Sequence, residues 1–385
     1  RTAKDPETGI KRVVLMTLKS PRFLYREMGE DGDGYDVASR LSFGLWDSLP
    51  DRQLLELAAK GKLGQPEEVR RQAERMLVDL RARNKLHHFL MTWLRADQPA
   101  DIAKDPGKYP GFDRAVLSDM KTSLELFLDE VVWSDASDFR ALLRSDEVYV
   151  NDRLAKFFGV SPPEGGGFRK VKLDGGRRAG ILSHPYLMTN FAYTRESSPI
   201  HRGVFLARGI LGVSLRTPPE AVAPIAADLH PGLTTRERVA LQTRPTTCMT
   251  CHEIINPLGF SLENFDAVGK YRDKDNGKPV DATGAYQARD GKRVRVTGVR
   301  ELANFVIQSP ESQAAFVEQM FHFLVQQPVR AYGPLTLEEL RKSFEEEGFH
   351  IRKLAMRIMI KTATKSRKLA WNDPLPSPLK WESSP

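Results

Sequence analysis

The sequence is poor in cysteine, with two in 385 residues. A disulfide-stapled scaffold is excluded, because such frameworks need several bridges. Long apolar runs are missing too: none approaches the ~18 residues of a membrane-spanning helix, and the mean hydropathy is −0.42. Neither sign of charge dominates, since 58 Lys and Arg face 50 Asp and Glu for a net +8, an excess that favours acidic partners only mildly. Internal repeats and low-complexity tracts are lacking. The chain opens at Arg1 without an initiator Met or a charged-then-apolar leader, so a signal peptide is expected to have been removed or to lie upstream. What is present, 41% hydrophobic and 28% charged residues, is an ordinary globular composition with length for two or three domains.

Used so sparingly, the cysteines look cytosolic until their positions are read. They fall in Cys248-Met249-Thr250-Cys251-His252, a C-x-x-C-H run and the attachment signature of one covalent c-type haem. Each thiol adds to one haem vinyl group, and the adjacent His252 is placed to ligate the iron as proximal ligand. Three other readings compete. A zinc site needs a second close pair of ligands, and the nearest other histidines are His230 and His322. A thioredoxin-like redox pair needs a preceding strand in a βαβ unit, whereas Pro245-Thr246-Thr247 and helix-like sequence surround this one. A plain disulfide is the third. Because haem c is normally attached outside the cytoplasmic membrane, the motif predicts a periplasmic or otherwise exported protein.

Apolar spacing predicts a mainly α fold. Tyr35, Ala38, Leu41, Leu45 and Trp46 form one helical stripe, and Val69, Ala73, Met76, Leu77 and Leu80 another, with Pro50 placed to open a helix between them. Helices are further expected over 113–132, 139–143, 151–158, about 202–211, 301–308, 311–326 and 336–363. The proline-rich 217–231 reads as an extended connector. The alternation over 284–299 around Asp290-Gly291 reads as a β-hairpin. The expected organisation is an N-terminal helical domain (1–110) and a second helical region near the haem (111–215). A haem-binding segment with the hairpin (216–300) and a C-terminal helical segment completing the haem domain (301–385) follow.

Several short motifs, in this order, carry a resemblance. They are Ser20-Pro21-Arg22-Phe23-Leu24-Tyr25-Arg26, Ala38-Ser39-Arg40-Leu41-Ser42 with Leu45-Trp46, Asn151-Asp152-Arg153-Leu154-Ala155, Gly180-Ile181-Leu182, Ser198-Pro199-Ile200-His201-Arg202-Gly203 and Cys248 through Asp266. Along nearly its whole length the chain resembles the planctomycete-type multi-domain c-haem proteins of unknown function, in which a cytochrome c-like haem domain is flanked by helical domains. The resemblance implies export and electron transfer, and no established substrate. Asn256 stands where relatives commonly carry Asp, and His201 where they often carry Lys.

The sixth iron ligand separates an electron carrier from a catalyst. His184, in a segment where related chains often carry His, Met or Gln, is the first candidate; its bland reading is a structural histidine at a helix start. Met320 is the second, 68 residues after His252 but inside an apolar helix, where Met is often core filler. Met188 and His322 rank below them, and an open site is the remaining alternative. Pro257 begins a Pro-Leu-Gly run like the loop in which a proline carbonyl accepts the proximal histidine's Nδ1 proton. Arg202, with Arg195 and Arg272, is a candidate partner for haem propionates. Asp273, Asp275, Asn276, Gly277 and Asp281 suggest a calcium loop, but the glycine comes one place too early for an EF-hand, which favours a solvent-exposed turn.

The helix at 351–369 carries Arg352, Lys353, Arg357, Lys361, Lys365, Arg367 and Lys368, read either as a solvated face or as a docking stripe for an acidic redox partner. The expected function is single-electron transfer between periplasmic partners by a monohaem cytochrome. Two alternatives stand beside it: a peroxidase- or oxidase-type haem enzyme with His184, Tyr186 or Tyr193 in a distal pocket, and a structural subunit of a larger exported complex. Neither nucleic acid nor a membrane span is expected.

Overall fold

In the computed structural model the described residues are 5–21, 33–97, 102–162, 164–215 and 230–364. The fold is mainly α with small antiparallel strand pairs, as the sequence predicts. Helix α1 (Pro6–Leu18) is capped by Asp5 and buries none of its side chains. Next come α2 (Gly34–Trp46), α3 (Arg52–Ala59), α4 (Pro66–Leu77) and α5 (Leu80–Trp93). Asp33, Asp51 and Asp79 cap α2, α3 and α5 by accepting backbone N–H bonds, the usual remedy for a helix's unpaired first donors. Pro50 therefore precedes the cap rather than opening α3. Both apolar stripes face the core except at one end each: Tyr35 is 48% exposed and Leu80 69%. Leu80 lies beyond the Asp79 cap, where a new helix restarts the phase.

The middle of the chain holds α6 (Arg114–Trp133), α7 (Phe139–Arg144), β1 (Glu147–Val150), α8 (Asp152–Phe158), β2 (Arg169–Lys172) and α9 (Pro185–Asn190). β1 and β2 pair antiparallel, a ribbon that no sequence pattern announced. Helix α10 (Pro199–Val204) runs on as a π-helical turn, Phe205–Ile210. Beyond the connector, whose residues 217–229 lie outside the described ones, come α11 (Thr235–Gln242), closed by a Thr234/Glu237 capping box, and α12 (Thr246–Phe260), which carries the cysteine motif. The ribbon β3 (Lys274–Asp275) with β4 (Lys278–Pro279) precedes the expected hairpin, β5 (Thr283–Gln287) with β6 (Arg293–Thr297). Helices α13 (Gly298–Gln308), α14 (Pro310–Val325), α15 (Thr336–Glu346) and α16 (Ile351–Thr364) finish the fold. The expected helix at 336–363 is thus two, broken where Gly348 and Phe349 take left-handed conformations at φ 70° and 63°.

One core cluster runs from Val37 to Ala363. At its centre the Phe316 ring meets Phe89, Trp93, Phe139 and Phe344, with centroids 4.4–5.9 Å apart. The Trp93 indole N–H donates to the Gly209 carbonyl at 2.8 Å, tying α5 to the π-helical turn. Two glycines let α10 and α12 approach backbone to backbone: a Cβ on Gly203 would strike the Ile255 carbonyl, and one on Gly259 the Pro199 carbonyl. Both obstacles are backbone, which cannot swing aside as a side chain does. Gly259→Ala is therefore expected to destabilise the fold by about 1–3 kcal/mol; urea unfolding should show a lower midpoint at an unchanged m-value.

Candidate functional site

The cysteine motif lies in the first turns of α12, where the Cys248 N–H donates to the Pro245 carbonyl at 2.9 Å. Helical spacing sets Cys248, Cys251 and His252 at i, i+3 and i+4, on one face of the helix. All three are half-buried, while Thr250 and Glu253 on the outer side are exposed. Both thiols are free. A helix rather than a strand precedes them, and the strands form only antiparallel pairs, so the thioredoxin arrangement is not built. Among the described residues no group of three or more His, Cys, Asp or Glu is placed to hold a metal ion, which leaves the two thiols without a second pair for tetrahedral zinc.

His252 is oriented by a short relay. Its Nδ1 donates to Asn256 Oδ1 at 2.8 Å; Asn256 Nδ2 donates to Thr243 Oγ1 at 2.8 Å, and the Thr243 hydroxyl donates to the Val239 carbonyl of α11 at 2.8 Å. Each donor meets an acceptor. With the proton on Nδ1, the Nε2 lone pair is bare, and no hydrogen bond reaches Nε2 among the described residues. Two free thiols and one bare imidazole nitrogen along a single helical face are the donor set that a covalent c-type haem takes. The acceptor is thus Asn256 and not the Pro257 carbonyl: the Pro-Leu-Gly run continues α12 instead of forming a loop, and the Pro257 carbonyl packs against Gly284 of β5. Sequence reasoning noted Asn256 as a departure from relatives but missed its role. The i, i+4 spacing from His252 was the signal, whereas Thr243, at the C-cap of α11, left none.

Arg202 is not free to meet a propionate. It is fully buried, and its guanidinium donates to the carbonyls of Leu262 and Phe265 at 3.1 and 2.6 Å and of Met188 and Asp266 at 3.0 and 2.7 Å, with Glu263 3.7 Å away. Burial pulls Arg202 down to about 10 and pushes Glu263 up. Arg272 bridges Glu263 and Asp275 at 2.9 and 2.7 Å and donates to Ser197 Oγ. Arg195 pairs with Asp105 at 3.2 Å. Arg202 rivets the turn after α12 to α9 and α10, and Arg272 ties the same turn to Ser197 and Asp275. Asp275 also accepts from the Thr235 N–H at 2.6 Å, and Asn276-Gly277, with φ 49° and 79°, makes the tight β3–β4 turn, so the acidic loop is a hairpin closure.

The distal candidates are engaged elsewhere. His184 caps α9: its Nδ1 accepts from the Tyr186 N–H at 3.3 Å, its Nε2 lies 3.4 Å from Ser123 Oγ, and its ring stacks on Phe127 at 6.4 Å. Met320 is 0% exposed within the apolar core, as is Met188. His322 lines a cleft of about 390 Å³ with Phe89, Trp93, Phe205 and Arg208. Tyr186 is buried, and the Tyr193 ring lies 5.0 Å from that of His201. Of the basic stripe on α16, Arg357 pairs with Glu347, Lys361 with Glu339, and Arg352 donates to the Ser134 carbonyl; Lys365, Arg367 and Lys368 lie outside the described residues.

The buried His184 has a measurable consequence. Burial first, and Arg178 second, hold it down to about 3 from 6.5. Below pH 6.5 the unfolded chain takes up a proton that the folded chain refuses, so stability is full above 6.5 and drains as pH falls toward about 3. The slope is up to about 1.4 kcal/mol per pH unit. His184→Asn keeps a capping acceptor without the titration, and its urea midpoints between neutral pH and about pH 4 should fall less steeply than those of the unmodified protein.

Comparison with known families places two stretches of the chain. Residues 33–160 match the family model described as PSD4, protein of unknown function (DUF1592), and residues 178–275 the one described as PSCyt3, protein of unknown function (DUF1588). No curated protein and no solved structure matches the chain. The first stretch covers α2 to α8; the second runs from Arg178 through the cysteine helix to Asp275. Both models are planctomycete cytochrome c-like families of unknown function, in line with the resemblance seen in the sequence.

Proposed function

We propose that this chain is an exported monohaem c-type cytochrome that passes single electrons between protein partners. The observation carrying this reading is the α12 face: two free thiols, and His252 held so that Nε2 is bare. Cys248 and Cys251 would hold the haem through thioethers, and His252 Nε2 would take the proximal position. The chemistry such a group supplies when bound is a one-electron ferric/ferrous couple. Export follows from the compartment in which haem c is normally attached. The redox partner is a protein; on α16 the paired Arg357 and Lys361 weaken that helix as a steering surface for an acidic one. Among the described residues no helix is long and apolar enough to cross a membrane.

A second reading has a specific observation in its favour. The nitrogens of His184 are occupied and Met320 is sealed in the core, so neither presents a donor to a haem on α12 as the chain stands. That arrangement favours a sixth position open to a small ligand, and with it a peroxidase- or oxidase-type site.

Two experiments test these readings. Protein matured in an exporting host should carry haem that survives acid-acetone extraction and gives a c-type pyridine haemochrome, and Cys248→Ser with Cys251→Ser should abolish it; extraction of all haem from the unmodified protein would sink both. Visible spectra with cyanide on the ferric form and carbon monoxide on the ferrous form then divide them. A low-spin spectrum indifferent to both ligands is expected of the carrier, and ready binding of either overturns it in favour of the open site.

A further inference from the structure

Asn256 is an unusual acceptor for a proximal histidine. It is 7% exposed, neutral, and one helical turn beyond the ligand it supports. A carboxylate there would draw the Nδ1 proton, lend the ring imidazolate character and strengthen its donation to iron. A carboxamide accepts the same hydrogen bond without a charge. Two features make the choice a built one. The amide's other end is satisfied by Thr243, itself 3% exposed, so its orientation is set from outside the helix. The Thr243 hydroxyl is in turn spent on the Val239 carbonyl, which leaves it as an acceptor toward Asn256 and holds Oδ1 toward His252. Asn256 itself is buried, so exchange of a neutral for an anionic acceptor is screened less there than it would be in water.

We infer that Asn256, locked by Thr243, is the positioning residue that sets the haem's reduction potential, fixing the His252 ring while withholding the negative charge that would stabilise ferric iron. The inference rests on the haem reading above. It is not a statement about folding, because a carboxamide and a carboxylate have nearly the same size and both accept from Nδ1.

The test is the midpoint potential of the purified holoprotein and of three variants, by spectroelectrochemical titration. Asn256→Asp supplies the charge, and the Thr243 hydroxyl can turn to donate to it; the reduction equilibrium should move at least tenfold toward the ferric form, a fall of about 59 mV or more for one electron. Asn256→Leu removes the acceptor and should move it the other way. Thr243→Val, which frees the amide to turn, should follow the leucine variant in sign and serves if that variant does not fold. Opposite shifts on either side of the unmodified protein are a signature that mere loosening cannot give. Haem present with all potentials unmoved, or with the aspartate and leucine variants shifted in one direction, overturns the assignment and leaves the cytochrome reading standing. Absence of covalent haem from the unmodified protein overturns both.

Discussion

The site depends most on a buried guanidinium. Arg202 sits in α10 with its charge wholly out of water, a placement that costs several kcal/mol unless the hydrogen bonds around it are nearly complete. Four carbonyl oxygens supply them, and the Glu263 carboxylate, 3.7 Å away, supplies the countercharge. Three of those carbonyls belong to the turn that follows α12, so the helix that carries the cysteine motif cannot leave α10 without stranding a buried charge. Glu263 and Arg272 extend the same logic to Asp275, whose other oxygen accepts from the first N–H of α11, where an anion is also favoured by the helix dipole. Electrostatics fixes both ends of the α11–α12 pair. The glycines at the α10–α12 crossing then set its spacing, because any side chain there would meet backbone.

Within that frame the His252 relay is a local consequence. Val239 lies on α11 and Thr243 caps its C-terminus, Asn256 and His252 lie on α12, and the hydrogen bonds between them register one helix against the other while selecting the imidazole tautomer. The same contact that packs the helices thus also leaves one imidazole nitrogen bare. Polar groups at this depth that were left half-satisfied would each cost about 1–3 kcal/mol, which favours one arrangement over the alternatives.

Much of this was legible from sequence, and the failures have physical causes. The shared face of Cys248, Cys251 and His252 was readable because helical spacing encodes it, and the 3.6-residue stripes in α2 and α4 because burial follows period. The β5–β6 hairpin announced itself through Asp290-Gly291, whose glycine has φ 84°. The β1–β2 ribbon did not, since its strands are four residues each and lie 18 residues apart, so neither period nor a tight turn marks them. Arg202 looked like a propionate partner because an arginine near a haem motif is a reasonable candidate, and no sequence feature says that carbonyls will surround it. His184 carried a structural reading from the outset, as a histidine just before Pro185 at a helix start, and its capping geometry follows that pattern. Thr243 was silent because its partner is set by tertiary packing.

The length of chain around a single motif has an answer in the path of contacts. The site helix rests on α10, α11, β5 and the π-helical turn. That turn is an insertion that shifts the register of side chains, a local irregularity that persists only where surroundings demand it. Here the demand comes from Trp93, whose indole N–H takes the Gly209 carbonyl, and Trp93 belongs to the aromatic stack joining α5, α7, α14 and α15. Helix α16 closes the stack's far side against α2 and α4. The core cluster reaches α12 through Leu258 and the π-helical turn through Phe205, Leu206, Ala207 and Ile210. A single half-buried imidazole with its proton held in place is the product of that whole core, because α11, short and weakly amphipathic, and α10, six residues long, cannot hold the geometry alone.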